Sequence, residues 1–305
     1  MKTFKQFLSF IEIKTKTASQ LPFFTALAYT FYHLRTINLR DTALFWVAMS
    51  LFDMAVTAIN NYMDSREAKA EGHFSRGVML GIIFGFTVPA AALGIWLAVL
   101  HGWAFLIAGA LCFAVGVGYT YGPAPISKSP YGELFSGLAQ GFLIPFLVYT
   151  LSAASAPLLA VNVNLRDWTA SASLDLKGLL FFLLAMFPLA GCVSNIMLAN
   201  NTSDLEADLG TRYTLVMRVG KKNAVRLFCW IYAAVYAAPL LAVLLGALPW
   251  SCLLVLLTIP PVVKNIRRFR QKQVKAETFD ASIHNFVILS AALAVCIFVG
   301  IFIQK

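Results

Sequence analysis

Two short stretches of this sequence repeat one arrangement of oxygen-bearing side chains. They are Asn60-Asn61-Tyr62-Met63-Asp64 and Asn200-Asn201-Thr202-Ser203-Asp204, and Asp208 follows the second. On a helix, residues four apart differ by about 40° and residues seven apart by about 20°. Asn60 and Asp64 therefore share a face, as do Asp204 and Asp208, with Asn201 close to Asp208. Each segment can aim two or three oxygens at one point. Oxygen ligands without a neighbouring His or Cys suit a hard cation such as Mg²⁺, which takes one or two carboxylates and fills its shell with water and substrate phosphates. Arg66, Arg76, Lys128, Arg212, Arg218 and Lys221 accompany the two clusters. The combination fits a diphosphate bridged by metal and held by cations. Any one of these acids is equally a solvated helix end; the pairing carries the chemistry.

A third stretch, residues 119–137, reads YTYGPAPISKSPYGELFSG. Tyr119, Tyr121 and Tyr131 bring aromatic faces that can stabilise a developing allylic cation or stack on an aromatic substrate. Each taken singly is also consistent with an aromatic belt at a membrane interface. Gly122, Pro123 and Pro125 shape a stiff loop. His33, His73, His101 and His284 are scattered and form no ligand set. Cys112, Cys192, Cys229, Cys252 and Cys296 lack metal-site spacing and sit in apolar runs, so they read as buried thiols.

These residues need elements to hold them, and composition says which. Of 305 residues, 59% are hydrophobic and only 12% charged, far from the balance of a soluble domain. The chain reads as an all-α integral membrane protein of a single domain, 1–305. About nine apolar windows can cross a bilayer: 20–38, 42–62, 77–99, 103–121, 132–154, 178–200, 223–246, 249–267 and 282–303. Each must be helical, because lipid offers no partner for backbone N–H and C=O. Pro89 and the Pro260-Pro261 pair predict kinks. Residues 1–19 form an amphipathic segment for the membrane surface, with Phe4, Phe7, Leu8 and Ile11 at helical spacing. No cleaved signal peptide is expected.

With the N-terminus inside, the alternate loops carry all of the 24 lysines and arginines except Arg35, Arg40, Arg166, Lys177 and Lys305. That bias predicts a multi-pass cell-membrane protein with a cytoplasmic N-terminus, an external C-terminus and both acidic motifs on the cytoplasmic side. The net charge of +10 then reflects basic loops facing anionic lipid, residues 264–275 among them, and nucleic acid is not an expected partner. The matching Asn-Asn-x-x-Asp patterns hint at two related halves.

At these three segments the chain resembles the UbiA superfamily of intramembrane prenyltransferases. Within it the likeness is greatest to the 1,4-dihydroxy-2-naphthoate polyprenyltransferases of menaquinone biosynthesis. The resemblance implies a bundle of about nine helices over essentially the whole chain, with a central cavity open to the cytoplasmic side and to lipid. It implies Mg²⁺ held by Asn60, Asp64, Asp204, Asp208 and Glu67, with Asp64, Asp204 and Asp208 catalytic. Asn200, Asn201, Arg66, Lys128, Arg218, Tyr119 and Tyr121 would contact polyprenyl diphosphate and acceptor. The implied reaction transfers the prenyl group to 1,4-dihydroxy-2-naphthoate with loss of CO₂ and diphosphate, giving demethylmenaquinone.

The chain departs from the family pattern in its first motif. That motif often ends in a further Asp, but Ala68 and Ala70 stand there, leaving Glu67 or Glu71 as the substitute. Its usual Asn-Asp opening is Asn60-Asn61. Asp53, about 20° from the face of Asp64, either helps hold and deprotonate the phenolic acceptor or bonds to a neighbouring helix. Two other readings stay open at this point. One is a sister enzyme using another ring such as 4-hydroxybenzoate; the other is a transporter with an acidic pathway.

Overall fold

The computed structural model describes residues 2–67 and 74–303, and the side chains of Lys2, Thr3, Lys14 and Glu67 lie outside the description. Glu67, Ala68, Ala70 and Glu71, on which the third ligand of the first motif turns, therefore fall outside the described side chains.

The chain opens with α1 (Lys2–Phe10) and a 3₁₀ turn (Ile13–Lys16). There follow α2 (Thr17–Leu34), α3 (Leu39–Glu67), α4 (Arg76–His101) and α5 (Trp103–Thr120). Next come α6 (Gly132–Leu138), a π-helical turn (Ala139–Leu143) and α7 (Ile144–Thr150), which together make one span. A hairpin of β1 (Leu159–Asn164) and β2 (Thr169–Leu174) leads to α8 (Leu176–Ser203) and α9 (Leu215–Val219). The remainder is α10 (Lys221–Leu244), a 3₁₀ segment (Trp250–Thr258), α11 (Ile259–Gln271), α12 (Lys275–Thr278) and α13 (Asp280–Ile303).

Eight of these helical stretches are long and apolar enough to cross a membrane. The expected span at 20–38 is the exception. Its helix, α2, starts earlier and carries Ser19, Gln20, Thr25, Thr30 and His33, which lower its apolarity. It is nonetheless a bundle member, packed on α7 and α13. The span at 249–267 is divided at Pro260, where the prolines occupy the first positions of α11 and need no N–H partner. Pro89 falls inside α4 as expected.

The core forms around α8, the most enclosed spanning helix. Ala185, Met186 and Leu189 are fully buried there, and α8 packs on α10 and α6. Small residues set the closest approach. Gly137 and Gly141, four apart, face Ala190 and Ser194 of α8, and a Cβ on either glycine would overlap them. Such a small-residue stripe lets helix backbones touch where lipid supplies no hydrophobic drive. It also fixes the height of α6 against the polar end of α8.

α1 is amphipathic; the C-terminal part of its apolar face packs on protein, while Phe4 is exposed. Phe10 and Ile11 are buried with Ala58, Tyr62, Met79 and Ile83 of α3 and α4. The hairpin was not anticipated. It pairs Leu159 with Leu174 through Asn164 with Thr169.

Candidate active site

α3 has 29 residues, a length of about 43 Å. A hydrocarbon core of about 30 Å needs about 20 of them, so α3 is longer than a span requires, and its last two turns carry the first motif. Asn60 Oδ1 accepts from Thr120 Oγ1 at 3.0 Å, and Asn60 Nδ2 donates to Asp64 Oδ2 at 3.2 Å. The shared face of Asn60 and Asp64 is thus realised, and Thr120 ties it to the end of α5. Asn61 turns the other way, its amide donating to the Phe10 carbonyl at 2.8 Å. Tyr62 lies between two cations. Arg66 sits 6.0 Å over its ring and Arg76 Nε donates to its hydroxyl at 3.1 Å.

The second motif differs from its expected form. α8 stops at Ser203, and Asp204 is its C-cap. The run Asn-Thr-Ser-Asp is poor in helix formers and competes for its own backbone. Asp204 and Asp208 therefore stand in a series of turns rather than on one α-helical face. One helix-like bond persists, from the Asp208 N–H to the Asp204 carbonyl at 2.9 Å. Arg212 pairs with Asp208 at 3.4 Å, and Lys275 donates to Asp204. Arg218, in α9, is exposed.

Asn200 is half-buried near the end of α8. Its neighbour Asn201 is 3% exposed and donates to Glu133 Oε1 at 2.9 Å. Asn201 is thus committed to the wall of the site. Glu133 belongs to the first turn of α6, where the helix dipole favours an acid. Its carbonyl accepts from Ser194 Oγ at 2.9 Å.

The third motif closes the ring. The Tyr213 N–H donates to the Lys128 carbonyl at 3.0 Å, joining the 126–128 turn to the loop after Asp208. The Tyr119 hydroxyl faces the start of α6, 3.5 Å from where a Cβ on Gly132 would stand. Tyr121 is exposed. Bonds thus run from α3 through Thr120 to the Tyr-Gly-Pro loop, through Tyr213 to the second motif, and through Asn201 to α6. All three motifs are gathered at one end of the bundle.

Asp53 lies about three turns below Asp64 in α3. Its Oδ1 accepts from Lys16 Nζ at 3.1 Å and its Oδ2 from Ser19 Oγ at 2.6 Å. Lys16 also donates to the Asp53 carbonyl at 3.0 Å and to Thr57 Oγ1. Lys16, Glu133, Thr120 and Lys275 are partners of the motif residues that sequence reasoning missed. Only Glu133 carried a signal, as an acid at the head of an apolar run.

Among the described residues, no three His, Cys, Asp or Glu side chains gather as a metal cage. The donors are oxygens in two small clusters with cations beside them. That set fits Mg²⁺, which seldom occupies an all-protein cage and shares its shell with substrate phosphates.

Two oxygen-only acidic clusters thus stand, with cations beside them, at one end of a multi-pass helical membrane bundle. A model of the UbiA prenyltransferase family matches residues 21–287, and the chain belongs to that family. Membership sets aside the transporter reading. A curated relative, the 1,4-dihydroxy-2-naphthoate octaprenyltransferase of Bacillus subtilis (strain 168), is 31% identical over 190 residues. The match covers 61% of this chain and 53% of that protein, so the chain spans about half the length of its relative. Among solved structures, a UbiA homologue from Archaeoglobus fulgidus bound to GPP and Mg²⁺ is similar with a TM-score of 0.64 and 14% identity, over 97% of this chain and 99% of that one. The apo UbiA homologue from Aeropyrum pernix K1 gives a TM-score of 0.64 and 18% identity, over 90% and 97%. These likenesses confirm the helical fold.

Proposed function

We propose that the protein transfers a polyprenyl group from polyprenyl diphosphate to an aromatic acceptor, 1,4-dihydroxy-2-naphthoate, with loss of CO₂ and diphosphate. The observation that carries the reading is the hydrogen-bonded gathering of Asn60, Asp64, Lys128, Asp204 and Asp208 at one end of the bundle. The naphthoate relative supports the choice of acceptor.

In this reading Asn60, Asp64, Asp204 and Asp208 hold Mg²⁺, with Glu67 as a further ligand. Bound there, Mg²⁺ neutralises the charge that builds on the departing diphosphate. Arg66, Lys128 and Arg218 bind diphosphate oxygens directly, and Asn200 contacts the same substrate. Asn201 acts through Glu133, fixing the end of α8. Tyr119 and Tyr121 turn ring faces toward the allylic carbon as its bond to oxygen breaks. The new C–C bond forms at the ring carbon bearing the carboxylate. CO₂ departs and leaves its bonding electrons on the ring, so both hydroxyls are kept and the reduced, dihydroxy form of demethylmenaquinone results. Both oxygens of Asp53 are engaged, so it serves as the counter-ion of Lys16 at the deeper end of the site rather than as a free base. The central cavity, its opening to lipid, the single domain over 1–305 and the cytoplasmic placing of the motifs belong to the same proposal.

The test is transfer of label from geranylgeranyl diphosphate by purified protein with Mg²⁺ and either 1,4-dihydroxy-2-naphthoate or 4-hydroxybenzoate. Label on the naphthoate, abolished by Asp208→Asn and by EDTA, is the expected result. Label on the benzoate alone would overturn the acceptor, and transfer that survives both controls would overturn the site.

A further inference from the structure

Beside the active end of the bundle, a groove of about 740 Å³ runs between the start of α10 and the end of α11. Its polar lining is Lys221, Lys222, Arg226, Arg270 and Gln273, and Trp230 closes one side. Three cations nearby have acidic partners: Arg268 with Asp280, Lys272 with Glu277 and Lys275 with Asp204. The four cations of the groove have none among the described residues; Arg226 reaches only the Asn223 amide oxygen, at 3.3 Å. Four like charges around one hollow repel one another. Lys221 and Lys222 also stand in the first turn of a 24-residue helix, at the positive end of its dipole, where a cation is unfavourable. An anion in the groove relieves both.

The surroundings say what kind of anion. Trp230 is 72% exposed, and indole rings favour the level of lipid headgroups. Above it on α10, Ala233, Ala237, Leu241 and Leu244 continue the same exposed stripe, an apolar track for acyl chains. A soluble phosphate would use the cations and leave the indole and the stripe without a role. We infer that this groove is a binding site for an anionic phospholipid, with the headgroup phosphate among Lys222, Arg226 and Arg270 and the chains along α10. The site is separate from the acidic motifs and stands whether or not the proposed acceptor is correct.

The experiment is native mass spectrometry of the detergent-purified full chain with added phosphatidylglycerol or phosphatidylcholine, in wild type, Arg226→Gln/Arg270→Gln and the charge-keeping Arg226→Lys/Arg270→Lys. Thermal unfolding confirms that each variant is folded. The expected result is phosphatidylglycerol adducts in wild type and the lysine variant. The glutamine variant should bind more weakly by about fivefold for each charge removed, with phosphatidylcholine indifferent to all three. Equal phosphatidylglycerol binding by wild type and the glutamine variant overturns the proposal. Displacement of the lipid by millimolar inorganic diphosphate overturns it too, because the groove would then take a small phosphate anion instead.

Discussion

Removing the ammonium of Lys16 tests the deeper end of the site most directly. Lys16 and Asp53 keep 10% and 23% of their side-chain exposure. The ammonium has three N–H bonds and three acceptors: the Asp53 carbonyl, Asp53 Oδ1 and Thr57. Lys16→Met leaves the carboxylate with Ser19 as its one remaining donor in this cluster. Breaking a fully buried pair from one side costs about 3–5 kcal/mol. Water still reaches part of Asp53, so we expect about 2 kcal/mol, or about 30-fold in the unfolding equilibrium. Reversible SDS unfolding of wild type, Lys16→Met, Asp53→Asn and the double variant closes a cycle, and the double variant should recover most of the loss. A coupling below about 0.5 kcal/mol would mean that the two sites are independent and would refute the account of Asp53 as a counter-ion.

Asp204→Asn and Asp208→Asn should each lower prenyl transfer by about a hundredfold or more, the usual effect of removing a group that stabilises developing charge, while thermal unfolding stays near wild type. Lys275→Gln should lower the Mg²⁺ concentration for half-maximal turnover by up to about fivefold, because the exposed cation that competes for Asp204 is gone; a higher requirement would instead make Lys275 a diphosphate ligand. Glu133→Ala strands the buried Asn201 amide and should cost about 1–3 kcal/mol, whereas Glu133→Gln keeps the acceptor and should be near neutral. Gly141→Ala should cost about 1–3 kcal/mol by overpacking Ala190, against no effect for Gly85→Ala, where a Cβ meets open space. Both pairs can be compared by unfolding in detergent.

The apolar spans were legible because a bilayer leaves the backbone no choice but the helix, so hydropathy alone finds most of them. α2 escaped that logic. Its polar residues are held by the bundle, Thr25 and Thr30 bonding back to carbonyls a turn earlier. The hairpin had a signal that went unused: Ala170, Ala172 and Leu174 alternate with Thr169, Ser171 and Ser173. The first motif was legible because both its members lie on one helix. The second was half legible, since spacing does not reveal where a helix ends. The partners were hidden by distance along the chain. Lys16 and Asp53 are 37 residues apart, Glu133 and Asn201 are 68 apart, and Lys275 and Asp204 are 71 apart. No local pattern encodes such pairs; packing of α6 on α8 through Gly137 and Gly141 brings one of them together.

The ring of bonds that joins the motifs also orders events during biosynthesis. Asn60 finds Thr120 as soon as α5 is in the membrane. Glu133 must wait for Asn201, and the Lys128 carbonyl for Tyr213. Asp204 receives Lys275 only when the last spanning helix is about to insert. A chain halted before α8 therefore holds one acidic cluster without its counterpart. The gathering of the three motifs is complete only in the final third of translation, after α4 and α5 have been made.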